Sequence, residues 1–157
     1  MKPDQAAARS GFGLSLKGRA LRYLAAREHS RTELERKLAA HAESPQQLAQ
    51  VLDELQAKDF ISEARVVESV INRRAARFGT ARIKHELLGK GLAAEAVASA
   101  VTSLQASEAE RAREVWRKKF GEQAADAAAK GKQMRFLAAR GFGADAIRRA
   151  VSQADDD

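Results

Sequence analysis

The residues best suited to chemistry in this sequence are basic side chains that occur in clusters. Arg73, Arg74 and Arg77 fall within about a turn and a half of a helix. Further basic residues follow along the chain: Arg82, Lys84, Lys90, Arg135, Arg140, Arg148 and Arg149. At this density guanidinium and ammonium groups can contact phosphates without reading a base sequence. These ten residues are therefore the candidate sites for binding a partner or DNA.

A single basic residue at a helix end also has a simpler role. Positive charge there complements the helix dipole and favours solubility. For each residue taken alone this solvated role is the favoured interpretation, whereas the clusters taken together favour binding. The run Arg117, Lys118 and Lys119 carries the same ambiguity.

Patterns typical of catalytic and metal sites are missing from the sequence. His29, His41 and His85 lie far apart, and the three residues after Glu86 supply no second histidine for a zinc-binding HExxH motif. We expect these histidines to face solvent or to be partly packed. No glycine-rich phosphate loop occurs, and the absence of Cys excludes disulfides and thiolate sites. The carboxylates alternate with Lys and Arg, which favours helix-face ion pairs over an acid and a base. We predict a non-enzymatic protein with no cofactor and no metal.

Composition limits the partners and the compartment. The 157 residues carry a formal net charge of +7, which attracts nucleic acid, anionic membrane or an acidic protein face. Aromatic residues make up 5%, too few for a broad platform that stacks single-stranded bases. No apolar stretch reaches the roughly 18 residues that cross a bilayer, and the first residues do not resemble a secretory signal. We expect a soluble cytoplasmic protein without membrane association.

The spacing of apolar residues is helical almost throughout the chain from Leu16 onward. Leu48, Val51, Leu52 and Leu55 repeat at i, i+3, i+4 and i+7. The β-branched pairs in 66–71 leave polar residues on another face, so we predict a helix there too. The predicted core residues are Leu21, Leu24, Leu34, Leu38, Val70, Ile83, Leu87, Val97, Trp116, Leu137 and Ile147. Tyr23 could serve either packing or partner contact.

Polar and glycine residues mark the expected helix boundaries. Ser30 with Glu33 and Ser107 with Glu110 have capping-box spacing. Ser44 precedes Pro45, a pair typical of a helix start. Two glycines, each followed by an apolar residue at 91–92 and 141–142, indicate helix stops.

Those two stops lie in an internal repeat. The segments 90–97 and 140–147 share the order basic, Gly, apolar, two small residues, acidic, Ala and β-branched. We predict an all-α protein, a tandem array of three three-helix units that forms an elongated, curved helical repeat. The expected parts are a flexible lead at 1–15, units at 16–61, 62–106 and 107–152, and an acidic disordered tail at 153–157. Chance likeness among Ala-rich helices is the alternative.

An ordered set of segments resembles one known family. The stretch 20–38 (ALRYLAAREHSRTELERKL) is similar to the opening of the RecX regulatory proteins. Leu52-Asp53-Glu54-Leu55, Phe60-Ile61, Arg73, Gly79, Arg82-Ile83, the stretch 86–92 (ELLGKGL) and the stretch 135–142 (RFLAARGF) follow in the family's order. The resemblance covers about residues 16–151. Ser62-Glu63-Ala64-Arg65-Val66 departs from the family's acidic pair followed by Arg and Phe, which bears on contacts made by that helix.

The resemblance implies a regulator of RecA recombinase that acts in DNA repair, homologous recombination and the SOS response. Members of the family lodge in the groove of the RecA filament on single-stranded DNA and typically suppress ATP hydrolysis and strand exchange. The implied partners are that filament and single- or double-stranded DNA, bound weakly and without sequence preference, with the protein itself a monomer. The alternatives are a DNA-binding helical module independent of RecA and a generic helical adaptor.

Overall fold

The computed structural model describes residues 13–152. The regular structure of this part of the chain is entirely helical, as predicted. The α-helices are α1 Leu16–Ala26, α2 Arg31–Leu38, α3 Pro45–Ala57, α4 Glu63–Arg74, α5 Thr80–Gly89, α6 Ala94–Ala106, α7 Glu108–Lys119, α8 Ala127–Ala139 and α9 Ala144–Val151. A short 3-10 helix, Ala39–His41, follows α2. The predicted tail at 153–157, and the predicted lead up to residue 12, lie outside the described residues.

Serine side chains begin several of these helices. Ser15 caps α1 by accepting a hydrogen bond from the Gly18 amide. The Ser30 and Glu33 capping box is confirmed in α2, with both reciprocal bonds present. Ser44 caps α3 as predicted, with Pro45 in the first turn. These side chains satisfy amide groups that have no partner within their own helix.

The capping box predicted at Ser107 and Glu110 is wrong. Ser107 alone separates α6 from α7, so the same residue ends one helix and begins the next. Its hydroxyl donates to the Leu104 carbonyl at 3.3 Å and accepts from Arg111 Nε at 3.0 Å. The hydroxyl therefore has no amide of α7 as its partner.

The described residues divide into two compact units, one that ends at Val66 and one that begins at Val67, so the division falls within α4. The core of the first unit comes from α1, α2 and α3 and from Ile61, which lies between α3 and α4. Its buried members are Leu16, Ala20, Leu34, Leu38, Leu48, Leu52, Leu55 and Ile61. Leu21 and Leu24, predicted as core, are only partly buried against it. The remaining predicted core residues are buried. The three predicted unit boundaries stay a prediction.

In the second unit, α7, α8 and α9 enclose a core of their own. Its buried members are Ala112, Val115, Trp116, Leu137, Phe142, Ala146, Ile147, Ala150 and Val151. Trp116 is a core residue, as predicted, and its ring nitrogen donates to Gln133 Oε1 at 2.9 Å. This bond satisfies the one polar atom of a buried indole.

The two predicted glycine stops are confirmed. Gly91 and Gly141 have φ of 70° and 92°, the left-handed conformation that glycine adopts readily. Each amide bonds back to the preceding helix, and the following residue, Leu92 or Phe142, is buried. The two segments related in sequence thus make the same helix-turn-helix connection. None of the helices in the described residues is long and apolar enough to span a membrane.

Candidate anion-binding site

Four arginines of the second unit converge on one aromatic ring. Their guanidinium carbons lie 5.7 Å (Arg74), 5.6 Å (Arg77), 4.3 Å (Arg82) and 5.3 Å (Arg140) from the centroid of Phe78. The ring's π face attracts cations at these distances. We call Phe78 with these four residues the arginine cluster. Sequence positions 74 to 82 and 140 meet here, although they are far apart along the chain.

A close approach of two backbones brings Arg140 to this place. The Gly79 amide donates to the Arg140 carbonyl at 2.8 Å. A Cβ atom on Gly79 would lie 2.3 Å from the carbonyl carbon and oxygen of Gly141. Glycine at position 79 is therefore what allows the start of α5 and the end of α8 to touch.

Arg111 and Glu108 of α7 bind the backbone around the contact between α5 and α8. Arg111 donates to the carbonyls of Phe78 (2.6 Å), Ala75 (3.1 Å) and Leu104 (2.9 Å), and also to Thr80 Oγ1. Glu108 accepts from the Thr80 amide at 2.7 Å, which supplies the side-chain cap that Gly79 cannot give α5. Burial lowers the pKa of Arg111, and the nearby Glu108 charge opposes that shift. This arginine supports the junction and is not free to bind a ligand.

Positive charge exceeds negative charge around Phe78. Glu86 is paired with Arg74 at 3.0 Å and with Arg73 at 3.7 Å. A small open recess of about 80 Å³ lies among Arg74, Phe78, Arg82, Ile83 and Glu86. Because Glu86 here and Glu108 at the junction are too few to neutralise the neighbouring guanidinium groups, the cluster is suited to an anion such as phosphate or an external carboxylate.

The other predicted site residues do not join the cluster. Lys84 is exposed on α5, and Lys90 ends that helix. Arg135 is exposed on α8. Arg148 and Arg149 pair with Asp145 on α9 at 3.6 and 3.4 Å, consistent with the solvated role that was favoured for each residue taken alone.

The aromatic residue at the centre was missed from the sequence. Phe78 lies between Arg77 and Gly79 and within four residues of Arg74 and Arg82. An aromatic residue spaced among arginines in this way is a usable signal. Arg140 was among the predicted site residues, but its place beside Phe78 could not be predicted, because it depends on the long-range contact between Gly79 and Gly141.

The histidine expectation is wrong for His29, which is 1% exposed. Its Nδ1 lies 3.0 Å from the Arg27 carbonyl and its Nε2 lies 2.9 Å from Lys37 Nζ. A carbonyl only accepts, so Nδ1 carries the proton, and Nε2 accepts from the ammonium. Burial lowers the pKa of His29, assisted by the charges of Arg27 and Lys37. Within the described residues, no three His, Asp or Glu side chains gather as metal ligands.

Comparison with known proteins decides the family. The model of the first RecX three-helix domain matches residues 17–55, and that of the third matches residues 106–151. The regulatory protein RecX of Leptothrix cholodnii is 57% identical over 90% of this chain and 90% of its own length. The chain belongs to the RecX family. RecX proteins of Ralstonia nicotianae and Chromobacterium violaceum are 49% and 41% identical, over 90% and 92% of this chain and 89% and 94% of their own lengths.

Solved RecX structures share the fold. A crystal structure of RecX from Lactobacillus salivarius has a TM-score of 0.74 at 20% identity and covers 90% of this chain and 96% of that one. A second RecX crystal structure gives a TM-score of 0.70 at 17% identity, over 90% of this chain and 72% of that one. The family resemblance stated from the sequence is therefore confirmed, and the relatives are named as regulatory proteins.

Proposed function

We propose that the chain is a non-enzymatic regulator that binds the RecA filament on single-stranded DNA, in its groove, and inhibits ATP hydrolysis and strand exchange. Membership of the RecX family supports RecA as the partner, since the relatives carry the name of a regulatory protein. The observation that carries the proposal is the arginine cluster, where four guanidinium groups meet on Phe78. A filament that contains DNA offers such a cluster both phosphates and acidic protein surface.

The cluster is organised for binding before a partner arrives. Phe78 is 8% exposed, so its ring is a fixed base on which the guanidinium groups rest. Like charges held this close repel one another, and an anion that bridges them removes that repulsion. Arg77 and Arg82 are the best subjects for mutation, because both are exposed and neither pairs with a carboxylate within residues 13–152. Arg73, Lys84, Lys90, Arg135, Arg148 and Arg149 are proposed to add longer-range attraction.

The test is RecA's DNA-stimulated ATP hydrolysis, measured with increasing amounts of wild-type chain and of Arg77→Glu/Arg82→Glu. We expect the wild type to inhibit and the double variant to lose most of that inhibition. The matched control is Arg117→Glu/Lys118→Glu on α7, which changes the charge equally at exposed positions outside the arginine cluster. Equal loss in both variants would show that only net charge matters. Full inhibition by Arg77→Glu/Arg82→Glu would contradict the proposal.

The salt dependence separates phosphate contact from contact with protein. For a single strand, the slope of log affinity against log salt is about −0.7 per phosphate contacted. Four contacts give a slope near −3, and Arg77→Gln/Arg82→Gln should reduce its magnitude by about 1.4. An unchanged slope would place the two arginines against protein. Tight, sequence-dependent DNA binding without RecA would instead support the alternative of an independent DNA-binding module.

A further inference from the structure

The first unit contains a second basic recess, formed by residues outside the arginine cluster. A recess of about 180 Å³ is lined by Leu14, Arg19, Arg22, Tyr23 and His41. Arg19, Arg22 and Tyr23 are spaced at i, i+3 and i+4 on α1, so they lie on one face of the helix. His41 comes from the 3-10 helix. Cationic and apolar groups therefore meet in one open site.

Arg19 and Arg22 form no ion pair with a carboxylate within residues 13–152, unlike several other basic residues of the first unit. Six carboxylates of the first unit pair with other basic residues. The pairs are Glu28 with Arg65, Glu33 with Arg27, Glu35 and Asp53 with Arg31, Glu54 with Lys17 and Lys58, and Asp59 with Arg65. No ion pair joins Arg19 or Arg22 to any of them. The unpaired positive charge of this unit is thus concentrated beside the recess.

Two large side chains beside these arginines are exposed. They are Tyr23 and Leu14, which are 36% and 42% exposed. Lys37 Nζ lies 4.7 Å from the centroid of the Tyr23 ring, and the His29 ring lies 5.5 Å away, so the tyrosine is supported from within the unit. A ring held in place at a cationic rim can stack on a flat group and orient it.

We propose that this recess binds one nucleotide of a single DNA strand, with the base against Tyr23 and Leu14 and its phosphate on Arg19 and Arg22. Single-strand sites combine these two features, a cationic groove for the backbone and an aromatic side chain for the base. A duplex fits poorly, since its bases are already stacked and paired. The proposal goes beyond the RecA-regulator proposal and does not rest on it, because this binding needs no RecA.

The test is the anisotropy of a labelled oligo-dT strand titrated with the full chain in the absence of RecA. The variants are made in an Arg77→Gln/Arg82→Gln background, which weakens binding at the arginine cluster. Tyr23→Leu removes the ring and should weaken binding roughly 5- to 150-fold, the range that corresponds to loss of one stacked base. Tyr23→Phe keeps the ring and should bind like the background. Arg19→Gln/Arg22→Gln should also weaken binding, with a smaller salt slope.

The matched control is Lys17→Gln/Lys58→Gln. It removes two positive charges from the same unit, at residues that pair with Glu54 and do not line the recess. Equal losses in this control and in Arg19→Gln/Arg22→Gln would overturn the proposal in favour of net charge. Unchanged affinity in Tyr23→Leu, equal affinity for duplex, or displacement of the strand by an acidic peptide carrying an aromatic residue would also overturn it.

A second measurement does not depend on how the variants fold. Ultraviolet crosslinking of the wild-type chain to oligo-dT, followed by mass spectrometry, should place a crosslinked nucleotide on the segment that contains Tyr23. Crosslinks confined to other segments would contradict the proposal. A result that contradicts strand binding at this recess does not contradict inhibition of RecA. In the same way, a lack of RecA inhibition does not contradict strand binding, so the two proposals can be refuted separately.

Discussion

Replacing Gly79 with alanine should destabilise the second unit through one steric contact. The new Cβ would lie 2.3 Å from the carbonyl carbon and oxygen of Gly141 and 2.4 Å from the Phe142 nitrogen. Carbon contacts are favourable from about 3.5 Å, so the overlap is about 1 Å. All three atoms belong to backbone and cannot move aside as a flexible side chain could. The φ of Gly79 is −78°, which alanine adopts freely, so the effect is steric and not conformational.

The expected magnitude combines three contributions. Overpacking costs about 1–3 kcal/mol, and pushing the backbones apart loses the Gly79 to Arg140 hydrogen bond, worth about 1 kcal/mol. Alanine offsets about 0.4–1 kcal/mol of this cost, because it lowers the conformational entropy of the unfolded chain. Gly79→Ala should therefore lower the free energy of unfolding by about 1–4 kcal/mol.

The assay is urea unfolding followed by circular dichroism and by the fluorescence of Trp116, the chain's one tryptophan. Trp116 belongs to the same compact unit as Gly79, so it reports on the affected part. The matched control is Gly89→Ala on α5, where no atom lies within 4 Å of the new Cβ. That variant should be about 0.4–1 kcal/mol more stable than wild type. If Gly79→Ala were as stable as Gly89→Ala, the close approach of the two glycines would be refuted.

Two further predictions concern polar side chains, one half-buried and one buried. Arg111→Met should lower the free energy of unfolding by about 2–5 kcal/mol in urea, because three carbonyls each lose a donor. Exposed Arg117→Met should change it by less than about 0.5 kcal/mol, and similar values for both variants would contradict the role of Arg111. Because the pKa of His29 is lower in the folded than in the unfolded chain, the unfolded chain binds a proton at a higher pH. The contribution of neutral His29 to the free energy of unfolding should therefore be fully present above about pH 6.5 and fall as the pH drops towards the folded pKa. His29→Gln should flatten this dependence in urea midpoints between pH 7.5 and 5.5 and exposed His85→Gln should not; an equal effect of both variants would count against a buried neutral His29.

Local signals in the sequence were sufficient for most of the fold. Helical periodicity, Ser30 and Ser44 as caps, and the glycine stops all depend on residues within about a turn of one another. Ser107 failed because its pattern cannot reveal that another helix ends at the same residue. His29 failed because its burial depends on how α1 and α2 pack, which a lone histidine does not indicate.

The candidate site could be predicted only in part for the same physical reason. Arg74, Arg77 and Arg82 are close in sequence, and their clustering was visible. The inclusion of Arg140 depends on Gly79 meeting Gly141, a contact between residues 62 positions apart whose cause is the space that two missing side chains leave. Arg148 and Arg149 look equally basic in sequence, yet Asp145 pairs with both.

We propose that the arginine cluster binds the RecA filament on single-stranded DNA. The most direct measurement is co-sedimentation of the chain with preassembled filaments, comparing wild type, Arg77→Gln/Arg82→Gln and the control Arg117→Gln/Lys118→Gln. We expect wild type and control to sediment with the filament and the cluster variant to stay largely in the supernatant. Equal sedimentation of the cluster variant and the control would contradict it.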